Sequence, residues 1–512
     1  MQKCSICFIL FLCFLLSVAL PVIGQENEDK EVELLKQPFR VRTSYELLKM
    51  SGEPDLGMLG MGADFFIVDK IPNLYFTINT YSAIVGKRPG LITVGTGAGY
   101  VQPLFRSPLS LDAGIFVGGG GGGGAPDGGG LITRLHLNLT YRFKHVSFFT
   151  GYSRLDFPTG EIGGNNLNAG LTFSTQFSTA RKGGTLSKTD GFVDNLDQQS
   201  KLRVQVTGQN YLNFAGRPTF QSDVDAPRGG EISMLGVELD HFFHEKWYAA
   251  LKLHGAVAGG IDGYMSYLVG LGLDTQLLAG PSGGGGIASG GGGIIQGSVG
   301  LRALVGNAYG IKAAIGQTIT PGGEFNGTLL ELGLSKNFQF VSTASDRKKT
   351  AYRLKDTDRL HEFGFELLNR TYYSSANSVD KNERPYDRAF NLIGLIASKK
   401  IHPHFDILGA TYWAYQGSYG AYAEGLLGVR YRYEWTPSWQ FRAQVLGGAA
   451  GGGGIDTGHG LVIQYSAGLA HQLNQNWGFS IGAGQMTSIS GNFKPFFTDV
   501  GIIYRFATIE KQ

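Results

Sequence analysis

The stretch "LITRLHLNLTYRF", residues 131–143, alternates apolar and polar side chains along most of its length. Positions 135, 137, 139, 141 and 143 are leucine or aromatic, whereas positions 134, 136, 138, 140 and 142 are arginine, histidine, asparagine or threonine. A period of two over this length predicts a β-strand with one apolar and one polar face. The strand therefore needs an apolar environment on one side and a polar one on the other.

A run of seven glycines, Gly118–Gly124, lies just before this strand, and similar runs begin at Gly283 and Gly451. The three runs are about 165 residues apart, and each follows a short apolar segment and precedes a long alternating one. The chain thus reads as three copies of one unit. The predicted units are residues 38–177, 201–340 and 360–512, with a polar N-terminal segment at 25–37 and polar linkers at 178–200 and 341–359.

The first residues predict export. Lys3 precedes the apolar run Ile6–Leu20, and short residues up to Gly24 lead into a polar sequence. This is the pattern of a signal peptide at residues 1–24, with an uncleaved membrane anchor as the alternative. All three cysteines lie in this segment, so the remaining chain is no disulfide scaffold. The net charge of only +3 gives no basic field for nucleic acid.

Eight strands are predicted in the first unit: 39–49, 56–68, 74–85, 91–104, 109–117, 131–143, 146–157 and 166–177. Strands of this length can cross a bilayer when tilted. The second unit is about ten residues shorter before its glycine run, so one of its hairpins is shortened or lost.

Connections alternate between short turns and longer, glycine-rich loops, which is how outer-membrane barrels are built. A soluble β-sandwich would also alternate apolar and polar side chains and is the competing fold. Charged residues of both signs occupy the polar faces, where a barrel interior could pair them. In the second and third units these residues are Arg203, Glu238, Asp240, Arg302, Lys312, Glu331, Glu362, Glu366, Glu424, Arg430, Arg432, Glu434, Arg442, Asp499 and Arg505.

The segment "DVGIIYRF", residues 499–506, resembles the last strand of Gram-negative outer-membrane β-barrel proteins. The matching residues are Asp499, Gly501, Tyr504 and Phe506, although six further residues follow where the family usually stops. The resemblance implies a place in the bacterial outer membrane, contact with its lipid, and recognition by the barrel assembly machinery.

Two arrangements of an all-β transmembrane barrel fit three units of about eight strands. One is three small barrels in tandem, which the separate closing strands and long linkers favour; the other is a single barrel of about 22–24 strands. The glycine runs could form an assembly surface, allow the chain to bend at the barrel mouth, or be flexible surface loops. Their representative residues are Gly118, Gly124, Gly283, Gly286, Gly451 and Gly454.

No residues with the spacing of a catalytic, cofactor or metal site stand out. "GPSGG" at 280–284 matches a nucleophile motif but lacks the strand-to-helix elbow that the motif needs. The pairs His241/His244 and His402/His404 flank short turns without partners at ligand spacing. We therefore expect a structural, adhesive or surface-assembly role, possible self-association through the glycine runs, and no enzymatic activity. A porin-like channel is the alternative, and a lipid-modifying enzyme is a weaker one.

Overall fold

The computed structural model describes residues 31–511, except 69, 183–191, 194–197, 216–231, 260, 262, 274, 288, 307, 343–348, 357, 375–378 and 388. The predicted signal peptide, residues 1–24, lies outside the described residues. Among these residues, no helix is long and apolar enough to span a membrane. The described chain forms 26 β-strands joined into one hydrogen-bonded sheet.

The first unit contains eight antiparallel strands, each paired with the next along the chain. The eighth strand pairs back with the first, from Val32 opposite Lys182 to Glu46 opposite Asn168, so the hydrogen bonds form a closed circuit. The strands are β1 (Glu31–Leu48), β2 (Leu56–Phe65), β3 (Leu74–Val85), β4 (Ile92–Pro103), β5 (Leu109–Gly121), β6 (Ile132–Phe143), β7 (Val146–Asp156) and β8 (Gly163–Lys182).

After the two-residue strand β9 (Phe192–Val193), the second unit repeats this plan, and its last strand pairs with its first. The hairpin before the second glycine run, which the sequence predicts to be shortened or lost, is present with strands of eight and nine residues. The strands are β10 (Gln198–Ala215), β11 (Ile232–Phe242), β12 (Tyr248–Ala258), β13 (Met265–Gly272), β14 (Thr275–Gly283), β15 (Gly293–Val305), β16 (Tyr309–Ile319) and β17 (Asn326–Ser342).

The third unit follows the short strand β18 (Lys349–Arg353) and also closes on itself, through pairing of β19 with β26. Its strands are β19 (Asp358–Tyr373), β20 (Ala389–His402), β21 (Phe405–Gln416), β22 (Ala423–Glu434), β23 (Trp439–Gly451), β24 (Leu461–Gln472), β25 (Trp477–Ser488) and β26 (Phe496–Lys511). Few backbone pairings between described residues join the circuits: β18 pairs with β1 and β9, and single pairs link Phe340 to Glu510 and Ala507 to Ala180.

Several strands extend beyond the predicted bounds. β1 begins at Glu31, inside the segment predicted to be polar and separate, because its first residues pair with both β8 and β18. β8 likewise continues to Lys182, into the predicted linker. β5 was predicted to end at Val117 but continues through Gly121, since the backbones of Gly118–Gly121 pair with β4. Backbone pairing requires no side chain, so the glycines can extend the strand.

The alternation predicted for residues 131–143 is present in β6. Leu135, Leu137 and Leu139 are about half exposed on the outside, whereas Arg134 and Asn138 are buried inside the circuit. Each unit thus has an apolar exterior and a polar interior. This is the inverse of a soluble fold.

Candidate functional site

Buried ion pairs fill the interior of the first unit. Arg40 and Arg42 lie two residues apart on β1 and therefore point to the same side. The Arg40 guanidinium is 2.7 Å from the Asp64 carboxylate and 2.9 Å from that of Asp112, and Arg42 contacts the same two carboxylates at 3.1 and 2.7 Å. The Tyr75 hydroxyl donates to Asp112 at 2.7 Å. Two positive and two negative charges therefore balance across three strands.

The second unit uses lysine and glutamate for the same purpose. Lys252 is 2.7 Å from Glu331 and 3.4 Å from Glu238, while Lys312 lies 2.6 and 3.2 Å from the same two carboxylates. Lys252 is fully buried. This four-residue network connects β11, β12, β16 and β17 across the interior.

In the third unit, arginine provides the positive charges. Arg370 donates two hydrogen bonds to Asp499, both at 2.8 Å, and is fully buried. Nearer the short turns, Glu366 accepts hydrogen bonds from Arg430 and Arg442 at 3.1 and 3.2 Å. Removing one member of such a network leaves an uncompensated buried charge, which costs about 3–5 kcal/mol. An eight-stranded circuit has little more internal space than its side chains fill.

Most of the charged residues predicted to face inward are buried. Glu434, the last residue of β22, is exposed because the strand ends there. Four others are half-buried: Arg302, Glu362, Asp499 and Arg505. The prediction missed Arg40, Arg42, Asp64, Asp112, Lys252 and Arg370, although their position in the alternation could have revealed them. These six residues are also inside the circuits.

Closed antiparallel circuits with apolar exteriors, charged interiors and mostly shorter turns at one end are typical of bacterial outer-membrane barrels. The described residues therefore have the architecture of outer-membrane β-barrels. The predicted membrane β-barrel is therefore confirmed at the level of architecture, and the competing β-sandwich prediction is wrong because each unit closes on itself.

No protein-family model matches the chain, and no curated protein matches it either. Among solved structures, it is similar to OccK11 (OpdR) of Pseudomonas aeruginosa, at 8% identity and a TM-score of 0.23, covering 95% of this chain and 100% of that one. OccAB4 of Acinetobacter baumannii has 6% identity and a TM-score of 0.23, with coverage of 94% and 100%. The outer membrane protein OpdK of Pseudomonas aeruginosa has 10% identity and a TM-score of 0.22, with coverage of 92% and 98%.

The three glycine runs adopt the same turn. Gly122–Gly124, Gly284–Gly286 and Gly452–Gly454 all have positive φ angles, from 56° to 120°. In each turn, the residue after the run donates its amide to the first of these three carbonyls at 3.1 Å, as Ala125 does to Gly122. A side chain is rarely tolerated in this backbone region, so the turn requires glycine.

Each glycine run lies against the backbone of a neighbouring unit. A β-carbon on Gly90 of the first unit would lie 2.5 Å from the backbone nitrogen of Gly284 in the second. The equivalent distance from Gly263 in the second unit to Gly452 in the third is 2.7 Å. The ring closes because a β-carbon on Gly420 of the third unit would lie 2.6 Å from the nitrogen of Gly130, six residues after the first run. A β-carbon on Gly121, within that run, would lie 3.1 Å from the carbonyl carbon of Gly420. We call these three contacts the glycine junctions.

An apolar cluster lies beside the glycine junctions. Ile92 of the first unit and Ala423 of the third are buried together with Trp413, and Met265 of the second unit packs against them. Ile92, Met265 and Ala423 are the first residues of β4, β13 and β22, the fourth strand of each unit. The units therefore meet through equivalent positions. The first part of the run, Gly118–Gly121, is buried, which contradicts a flexible surface loop for these residues.

The residues predicted as an assembly signal lie on β26 in three different environments. Asp499 receives the two hydrogen bonds from Arg370, and a β-carbon on Gly501 would lie 2.8 Å from that of Leu368. The Tyr504 ring packs on Trp477, with centroids 4.9 Å apart. Phe506 lies at the junction between units, at the short-turn end.

Phenylalanine side chains connect the units at this end. Phe506 packs on Phe177 of the first unit, with ring centroids 6.0 Å apart, and on Phe363 of its own unit at 5.6 Å. Phe363 in turn packs on Phe340 of the second unit at 6.1 Å. We call this group, which also includes Phe39, Phe65, Phe338 and Phe365, the phenylalanine cluster.

A cavity of about 440 Å³ opens at the short-turn end of the third unit. Its charged lining includes Glu366, Lys400, Asp406, Arg432, Arg442 and Arg505. We call it the third-unit vestibule. Ala180 and Arg181 of the first unit also line it.

The motifs set aside in the sequence fall on ordinary strands and turns. Ser282 of "GPSGG" lies on β14 and is fully buried, so it is in a strand and not at an elbow. His402 and His404 lie at a turn with ring centroids 5.8 Å apart. The described residues contain no group of three or more potential metal ligands.

Proposed function

We propose that the chain works in the outer membrane of a Gram-negative bacterium as a structural unit of three eight-stranded barrels held side by side. The observation that carries this proposal is the closure of each eight-strand circuit on its own first strand. A single wide barrel would instead pair β8 with β10 and β17 with β19 along their lengths. The filled interiors support a structural role more than free diffusion of solutes.

Lipid is the main partner in this proposal. The outward leucine, valine and aromatic side chains would be costly in water and are stabilised by hydrocarbon. We propose that the barrel assembly machinery inserts the chain and reads β26. The glycine runs lie against units of the same chain, which supports association within the chain as their role.

Membrane fractionation of the full chain tests the proposal. We expect the protein in the outer membrane and an unheated gel band that migrates differently from the heated one, as folded barrels resist detergent. Recovery in a soluble periplasmic fraction would contradict the location. In planar bilayers, we expect no steady conductance from the folded protein; sustained, stepwise currents would contradict the structural role.

A porin-like channel is the second candidate function, and the third-unit vestibule favours it. This cavity opens the interior at one end, and passage of small solutes would require the side chains beyond it to move. Bilayer currents that change when Arg370 is replaced by glutamine would support this candidate, since Arg370 crosses the third interior above the vestibule. Currents unaffected by that replacement would argue against a path through the third unit.

A further inference from the structure

The third-unit vestibule has more positive than negative charge. Around Glu366 and Asp406, four arginines of the third interior converge from three strands: Arg430, Arg432, Arg442 and Arg505. Arg430 and Arg442 share the single carboxylate of Glu366, and Arg432 is 3.1 Å from Asp406. Arg505 donates to the neutral amide of Gln440 at 2.7 Å. The vestibule pair Lys400–Glu362, at 3.0 Å, is balanced and leaves this surplus unchanged.

Some of these guanidinium groups are buried without hydrogen-bond partners. The Nη2 atom of Arg432 and the Nε atom of Arg442 have no hydrogen-bond partner in the described chain, although both side chains are more than nine-tenths buried. A buried donor without a partner is destabilising, and more so when it is charged. Both residues line the vestibule. An acceptor bound there would satisfy them.

The interior of the first unit shows that this surplus is not a general property of the fold. There Arg40 and Arg42 meet two carboxylates, Asp64 and Asp112, and each arginine contacts both. The equivalent balance is missing among the four arginines of the third unit. The difference lies at the end of the third unit where the vestibule opens.

We propose that the third-unit vestibule binds an oxyanion, the phosphate or carboxylate group of a small solute or a lipid headgroup. Arginine presents several N–H donors in a planar fork that matches these groups. Arg432, Arg442 and Arg505 supply the donors, and the open volume accommodates a group much larger than one water molecule. The site goes beyond the structural role proposed above and does not depend on it.

Titration of the full chain with inorganic phosphate tests the site, in a nonionic sugar detergent at constant ionic strength. We expect saturable binding of one equivalent by calorimetry. Arg505→Gln should weaken it at least about tenfold, and this change strands no carboxylate because Arg505 donates to a neutral amide. The double variant Arg432→Gln/Asp406→Asn keeps the charge balanced and should weaken binding similarly. The exposed Arg154→Gln, with the same loss of charge, should bind as the unchanged protein does.

The heat-modifiable gel band shows that each variant is folded, independently of binding. The proposal would be overturned if the unchanged protein showed no saturable binding at millimolar phosphate. It would also be overturned if both folded vestibule variants bound phosphate as tightly as the unchanged protein does. A short-chain phosphatidic acid below its micelle concentration separates the two sources of the oxyanion. Competition with phosphate assigns the site to lipid headgroups as well, whereas phosphate binding without competition assigns it to a free solute. Bilayer conductance is a separate measurement, so failure of the structural role and failure of this site are distinguishable.

Discussion

The two ends of the molecule hold the three units together by opposite means. At the glycine junctions, backbones touch because no side chain separates them, with β-carbon positions within 2.5–2.7 Å of a neighbouring backbone nitrogen. At the phenylalanine cluster, large rings fill the space between units at centroid distances near 6 Å. Backbone contact tolerates no added atom, whereas ring packing accepts another side chain of similar volume. We therefore call the end with the glycine junctions the strict end and the end with the phenylalanine cluster the permissive end.

The largest effect is expected when the permissive end loses its rings. Replacing both Tyr504 and Phe506 with serine removes aromatic contacts to Trp477, Phe177 and Phe363. Both rings are half-buried, so we expect the two replacements together to cost about 3 kcal/mol, roughly as much as one fully buried ring. We expect several-fold less heat-modifiable protein in the outer membrane, with export unchanged. Unchanged membrane levels would contradict both the assembly-signal resemblance and the packing role.

A single methyl group should disturb the strict end nearly as much. On Gly119→Ala, the new β-carbon would lie 2.5 Å from the carbonyl oxygen of Trp413 and 2.7 Å from that of Ala414, both in the third unit. We expect a loss of about 1–3 kcal/mol, measured as a lower temperature for loss of the folded gel band. Gly425→Ala is the matched control, since nothing lies within 4 Å of its β-carbon position. Equal melting of the two variants would show that the first run packs loosely against the third unit.

The strict end should also respond to pH through Asp127, which lies in the turn of the first glycine run. Burial raises the pKa of this carboxyl to about 6, even though the Gly122 amide donates to it at 2.8 Å. The folded state therefore binds the proton more tightly than the unfolded one, and stability should rise as pH falls from about 6 towards 4. We expect the unchanged protein to gain stability between pH 7.5 and pH 5 relative to Asp127→Ser.

Serine is chosen to replace Asp127 because a hydroxyl residue occupies the equivalent position in each of the other two glycine turns. The equivalent positions of the other two turns are Ser289 and Thr457, each donating its amide two residues back as Asp127 does. An identical pH response in the variant would show that Asp127 does not titrate in this range.

The smallest effect is expected for Phe506→Leu. Leucine keeps the apolar contact at the phenylalanine cluster, so the loss should stay below about 1.5 kcal/mol. The folded gel band should persist to nearly the original temperature. A loss as large as that of Gly119→Ala would mean that the ring end is as strict as the glycine end.

Much of the fold could be predicted from local pattern. The alternation in residues 131–143 identified a strand and its outward face, because period two follows from strand geometry alone. The continuation of β5 through Gly121 could not be predicted in this way, since glycine has no side chain to alternate. Lys252, by contrast, alternates with Leu251 and Leu253 on β12, so the same pattern could have identified it as an inward residue.

The candidate sites depend on contacts between distant residues, which are harder to predict from sequence. Gly90 and Gly284 touch across two units, and no local pattern pairs them. The surplus of arginines in the third-unit vestibule is visible in the sequence as a set of inward charges. Which of them share Glu366, however, depends on how β19, β22 and β23 curve around one interior.

The glycine junctions also fix how many repeats the chain can use. Each unit offers a loop on one side and a glycine run on the other, and the third loop meets the first run. Such head-to-tail contacts either close into a ring or continue without end. Here they close, so every copy of the contact is occupied. A chain with two units would leave one loop and one run bare, and a fourth unit would find no place to dock.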